Sequence, residues 1–201
     1  NNFQPYRHNI ITYKDKKNIY TLSFGGYSDE EQHLYIYDHL LNKWINNINY
    51  DKKTYYIYGG SKSTFINIKN NKYIIISCEN EDEENYFYIF NQNKKIFIKK
   101  IKAAKEFHNI KFYDHTFIKY SLLENKYIIM KEDKIIYFSI NEFFNINIIK
   151  QISNKLDYNY DGMSYLNINY KYIITFGGGY GLENNIYILE IKTNKFYKSK
   201  I

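Results

Sequence analysis

The chain is 201 residues long, with one cysteine (Cys78), one arginine (Arg7) and two alanines (Ala103 and Ala104). Each scarcity excludes something. A lone Cys cannot form an intrachain disulfide and agrees with a reducing compartment, so a cytoplasmic location is expected. The formal charge of +7 rests almost entirely on lysines scattered along the chain. Specific phosphate and guanine contacts lean on the Arg fork, so no nucleic-acid partner is expected. Few alanines beside 25 Tyr and 14 Phe argue for strands, because aromatic and branched side chains suit a pleated, half-buried surface. No apolar run approaches the roughly 20 residues of a membrane span, and no charged-then-apolar leader opens the chain. The chain begins with Asn1 instead of Met, and is read as a piece of something longer whose targeting signals lie outside it.

Chemical motifs are equally scarce. His8, His33, His39, His108 and His115 show no helical metal-ligand spacing, and there is no HExxH, GxSxG, phosphate loop or GxGxxG. Gly177-Gly178-Gly179-Tyr180-Gly181 is glycine-rich, but a strand should follow it, which removes the helix N-terminus a phosphate would need. Cys78 reads as a small buried residue and not as a nucleophile. No catalytic residue, metal or cofactor is expected, and the protein is read as not an enzyme.

A repeat is present. Aligning Tyr20 of YTLSFGG with Tyr172 of YIITFGG superposes Gly25 and Gly26 on Gly177 and Gly178 without a gap. Tyr35 then meets Tyr187, Asp38 meets Glu190, Asn42 meets Asn194, and Trp44 meets Phe196. A further copy starts at Tyr73, with Cys78 and Glu79 in the glycine slots, Phe90 matching Tyr37 and Phe97 matching Trp44. A fourth, weaker copy starts at Tyr127, with a shorter loop. Each copy follows another short alternating run, so each unit reads as four strands. Four-stranded antiparallel units bury their faces by stacking on neighbours, and radial stacking makes a β-propeller. The fold class is therefore all-β, a propeller of four-stranded antiparallel blades, with blades at approximately 7–47, 63–99, 115–151 and 162–199 of a single domain or segment, 1–201. Four blades read as part of a larger propeller. The glycine pairs would let an inner strand turn away at positive φ, and Trp44 would wedge the outer part of the sheet against the next blade.

At these residues the sequence resembles the Kelch repeat, whose pattern joins a double glycine to a spaced Tyr and Trp. Tyr37 and Trp44 keep the spacing with Gly25 and Gly26; the second copy keeps Phe90 and Phe97; the last keeps Gly177, Gly178 and Phe196. The Trp-Asp pair of WD propellers is absent. The resemblance implies a non-catalytic scaffold that binds another protein through inter-strand and inter-blade loops. Some Kelch-like propellers are enzymes, so the alternative is a propeller enzyme or carbohydrate-binding domain with its site in the central channel.

Strand alternation puts the turn after the second strand and the blade-to-blade connection on one face. The candidate partner-binding residues gather there: Tyr27, Asp29, Glu30 and Glu31 in one loop, Glu79, Glu81, Asp82, Glu83 and Glu84 in another, and Tyr180 in a third. Tyr55 is a further candidate anchor. Long loops on a rigid scaffold are common recognition sites.

Overall fold

The computed structural model describes the chain apart from residues 1–7, 16–17, 26–32, 46–54, 56, 58–59, 80–81, 109, 111, 113–114, 132–133, 154–163, 177–184 and 201. It is an all-β protein of four four-stranded antiparallel sheets, the blades of a β-propeller fold. The first sheet is β1 (His8–Asp15), β2 (Asn18–Gly25), β3 (His33–Asp38) and β4 (Lys43–Ile45). The second is β5 (Lys62–Ile68), β6 (Asn71–Glu79), β7 (Asn85–Asn91) and β8 (Ile96–Lys102). The third is β9 (Thr116–Lys119), β10 (Lys126–Lys131), β11 (Lys134–Ile140) and β12 (Ile146–Ser153). The fourth is β13 (Ser164–Ile168), β14 (Tyr172–Phe176), β15 (Asn185–Glu190) and β16 (Lys195–Lys200). Strand order follows chain order in every sheet. The chain divides into two compact units, Asn1–Tyr113 and Asp114–Ile201.

In the first unit, Leu22, Phe24, Leu34 and Ile36 of the first sheet share a buried cluster with Ile74, Ile76, Tyr88 and Phe90 of the second. The opposite face of the second sheet is buried too, through Ile75, Phe87 and Ile89. A strand covered on both faces has no use for alternation, which is why YIIIS in β6 is a continuous apolar run. The half-exposed outer strand β12 alternates residue by residue. Ser63 Oγ donates to Asn9 Oδ1 at 2.8 Å between the sheets of the first unit. In the second unit, Ile118, Ile128, Met130 and Tyr137 pack with Ile173, Tyr187 and Leu189. Tyr165 Oη and Asn167 Nδ2 donate to the carbonyls of Phe117 and Lys119 at 2.8 and 2.7 Å.

Repeat matches that looked arbitrary in the sequence have local causes. Asn42 and Asn194 both sit in the left-handed region, at φ 50° and 58°, in the third-to-fourth strand turns. Asn tolerates that conformation better than most residues. Lys95 and Phe144 occupy the corresponding turns at φ 55° and 62°. Asp38 holds its turn by accepting the N–H groups of Leu40 and Leu41, each at 2.9 Å. Glu190 accepts from Thr193 in the matching turn. Gly25 lies at φ 102° at the end of β2, a conformation a side chain would resist.

The third sheet departs from the expected register. Leu22 and Phe24, two and four residues after Tyr20, face the core of their unit, whereas the third sheet offers Ile128 and Met130. The Tyr20 slot therefore falls to Lys126, whose carbonyl accepts the Tyr120 N–H at 3.0 Å, matching the Tyr13–Tyr20 pairing of the first sheet. Core-facing parity sets the register, and Tyr127 moves to the opposite face beside Phe117 and Phe138.

The Asp38 carboxyl is held below its ordinary range, first by the Asn18 amide and then by the Leu41 N–H. A lowered folded-state value stabilises the protein above the unfolded Asp value near about 4, and that contribution is lost as pH falls through the folded-state value. Asp38→Asn keeps an acceptor and removes the charge. It is expected to reduce the drop in urea midpoint between about pH 7 and about pH 3.

Candidate functional site

The described part of the predicted loop face lies where β6, β7 and β8 meet the connection that leaves the second sheet. β7 begins with Asn85, and its side chain ties that connection down. Asn85 Nδ2 donates to the carbonyls of Phe107 and Ile110 at 2.8 and 2.5 Å, while Asn85 Oδ1 accepts the Phe112 N–H at 3.0 Å. Its backbone carbonyl accepts the Ala103 N–H at 2.9 Å. Phe107 and Phe112 close over Phe87 with ring centroids at 5.6 and 5.0 Å. A single turn of 3-10 helix, Lys105–Phe107, carries the chain around this anchor. The Asn85 side chain thus ties the start of β7 to the connection that leaves the second sheet.

A cleft of about 190 Å³ opens there, lined by Glu83, Glu84, Asn85, Lys102, Ala103 and His108. Glu84 accepts from the Lys102 ammonium and, at 2.5 Å, from the Tyr86 hydroxyl. Those two donors hold its carboxyl below the usual range. The same carboxylate, followed by burial, pushes the Tyr86 hydroxyl up to about 12, so Tyr86 remains a donor at neutral pH. Lys100 places its ammonium 4.1 Å from the Tyr86 ring centroid. The Glu84–Lys102 pair is partly solvated, so it orients the cleft wall more than it stabilises the fold. Glu83 sits at φ 59°, in the left-handed region.

The acidic run predicted as a single loop divides. Glu79 is the last residue of β6, pairs with Asn85 and is buried. Asp82 and Glu83 are exposed, and Glu84 is half-buried. Tyr55 stacks on Phe97 with centroids 4.8 Å apart, covering the outer strand from the connection before β5. Gly26, Tyr27, Asp29, Glu30, Glu31, Glu81, Gly177, Gly178 and Tyr180 lie outside the described residues. The aromatic pairs of the repeat meet across neighbouring strands: Tyr37 with Trp44 at 5.2 Å and Phe90 with Phe97 at 5.4 Å. Leu189 stands opposite Phe196 in the fourth sheet. Sequence reasoning placed the segment beginning at Lys99, which carries Lys102 and His108, on the loop face, but missed Asn85 as the residue that anchors it. The only local signal was the small pair Ala103–Ala104, which lets the connection pass close to β7.

Among the described residues no three His, Cys, Asp or Glu side chains converge to hold a metal ion. No described helix is long and apolar enough to cross a membrane. No family model matches the chain, and no curated protein matches it. Among solved structures it is similar to dihydro-heme d1 dehydrogenase NirN in complex with DHE, at 6% identity and a TM-score of 0.49, over 89% of this chain and 34% of that one. It is also similar to a functionally unknown protein from Desulfotomaculum acetoxidans DSM 771, at 10% identity and a TM-score of 0.42, over 89% of this chain and 67% of that one. The chain spans about a third of the length of NirN.

Proposed function

We propose that the chain is a non-catalytic, Kelch-type scaffold that binds another protein at the β6–β7 hairpin tip and its adjoining cleft. The observation that carries this reading is the Asn85 anchor, which joins an acidic tip to a blade-to-blade connection. Preorganised loops lose little entropy on binding, so even a modest contact area gives useful affinity. The cleft suits a long basic side chain of the partner: its head would meet Glu83 and Asp82, and its aliphatic stem would lie along Ala103. The Kelch assignment is supported by the Tyr37–Trp44 and Phe90–Phe97 contacts, which keep the repeat's aromatic pairing in three dimensions.

The test compares proteins retained by the native chain and by a D82N/E83Q variant. Loss of one or more partners, with affinity reduced about tenfold or more in a direct titration of the recovered partner, is the expected result. Identical partners at unchanged affinity would remove the hairpin tip from the recognition surface.

A further inference from the structure

At the end of the first unit opposite this cleft, the hairpin turns carry a different chemistry. The β3–β4 turn pushes two leucines into solvent: Leu40 is 75% and Leu41 58% exposed. This is a built presentation and not a loose loop. One Asp38 oxygen accepts both leucine N–H groups and the Asn18 amide, the last at 2.7 Å. The Ile19 carbonyl takes the His39 N–H at 3.1 Å and brings Ile19, also exposed, beside the pair. Lys95 of the β7–β8 turn places its ammonium 4.2 Å from the Tyr20 ring centroid, which brings the turns of the second sheet to the same end. Exposed lysines lie in or beside the turns at this end: Lys14 and Lys43 on the first sheet, and Lys69, Lys72 and Lys94 on the second. Among the described residues of these turns the other acidic side chain is Asp15, and the Asp38 carboxylate is engaged inside its own turn.

The second unit also presents exposed apolar turns, but with exposed Glu124 and Glu142 beside them, so its charge does not match that of the first unit. Leu122, Leu123 and Phe143 stand exposed in the two turns at one end of the third sheet, with Leu123 at 93%. Those turns adjoin through the Asn125 carbonyl, which accepts the Ile140 N–H at 3.0 Å. Asn141 Oδ1 fixes the Phe143 turn by accepting the Phe143 and Asn145 N–H groups at 3.0 and 2.9 Å. Tyr137 donates to Asn194 at 2.7 Å and brings the β15–β16 turn to the same end, with exposed Lys192 and Lys195.

We propose that the hairpin-turn end of the first unit docks on an anionic lipid surface, with Leu40–Leu41 entering the acyl boundary while the lysines lie among the headgroups. Charge complementarity selects the occupant. A polyanion in water would use the lysines and leave the leucines exposed, whereas a charged bilayer uses both. Lysine in place of arginine also suits diffuse phosphate attraction better than base reading. Shallow insertion from rigid turns needs no spanning segment.

The experiment is co-sedimentation of the full chain with vesicles of phosphatidylcholine alone and of phosphatidylcholine containing phosphatidylserine. Binding to the second and not the first is expected, weakening as salt rises. L40S/L41S should lower the partition coefficient about tenfold. K43E and K94E should each cost about fivefold or more. D82N/E83Q should leave lipid binding unchanged, which separates this surface from the protein-binding cleft. Absence of binding to anionic vesicles would overturn the proposal. So would binding that survives L40S/L41S and is competed by duplex DNA, an outcome that would make the surface a general polyanion site.

Discussion

Replacing Asn85 with Ala is expected to destabilise the first unit by about 3 to 5 kcal/mol, the largest effect of any polar substitution in its described part. The deletion strands two buried backbone groups, the Ile110 carbonyl and the Phe112 N–H, and takes one of two donors from the Phe107 carbonyl, which keeps the Ile110 N–H at 2.9 Å. Each costs about 1 to 3 kcal/mol when left without a partner away from water, and relaxation of the connection recovers part of that. Asn85→Asp should be at least as damaging, because it places a carboxylate where two carbonyls need a donor. Urea unfolding measures the loss, and hydrogen exchange locates it. Amides from Ala103 to Phe112 should exchange faster at denaturant concentrations where the β5–β6 ladder is still protected. A variant with native stability would show that the connection is held by its aromatic rings alone. It would also remove the anchored cleft on which the protein-binding reading rests.

How much of this was legible in the sequence depended on whether the cause was local. Asn42 and Asn194 could be matched because a left-handed turn residue is a property of a few adjacent positions. Asp38 and Glu190 matched for a similar reason, since each accepts from residues within its own turn. Tyr127 misled because a tyrosine at the head of an apolar run looks alike on either face. Only packing between the third and fourth sheets settles which face is which. Asn85 was invisible, because its partners are more than twenty residues away in a segment without periodicity. Glu79 was read as part of an exposed acidic loop, but β6 runs far enough to carry it into the sheet. The lysines looked scattered along the chain. Antiparallel folding brings first-to-second and third-to-fourth turns to one end of a sheet and leaves the second-to-third turn at the other, so lysines distant in sequence, such as Lys14 and Lys43, come to the same end.

Phe97→Ala is expected to cost about 3 kcal/mol, and Trp44→Ala only about 1 kcal/mol, although Trp is the larger side chain and was expected to be the wedge between blades. The two residues hold equivalent places in the repeat, but their surroundings differ. Phe97 is buried beneath Tyr55, which stacks on it at 4.8 Å with an interplanar angle of 17°, and Phe90 and Tyr88 close its edges at 5.4 and 6.2 Å. Removing its ring opens a cavity that neighbours fixed in strands cannot fill. Trp44 lies on the three-residue strand β4, 37% exposed, with its ring edge-on to Tyr35 and Tyr37. Water can replace much of what its removal takes away. Comparing the two variants by urea midpoint, with Tyr55→Ala as a third, decides whether the connection from the preceding blade contributes to the wedge. If Tyr55 supplies the cover, its deletion should reduce the penalty of Phe97→Ala in a double-mutant cycle, because the shared contact can be lost only once. Equal costs for Phe97 and Trp44 would instead mean that repeat position, and not cover from the connecting segment, sets the contribution of the ring.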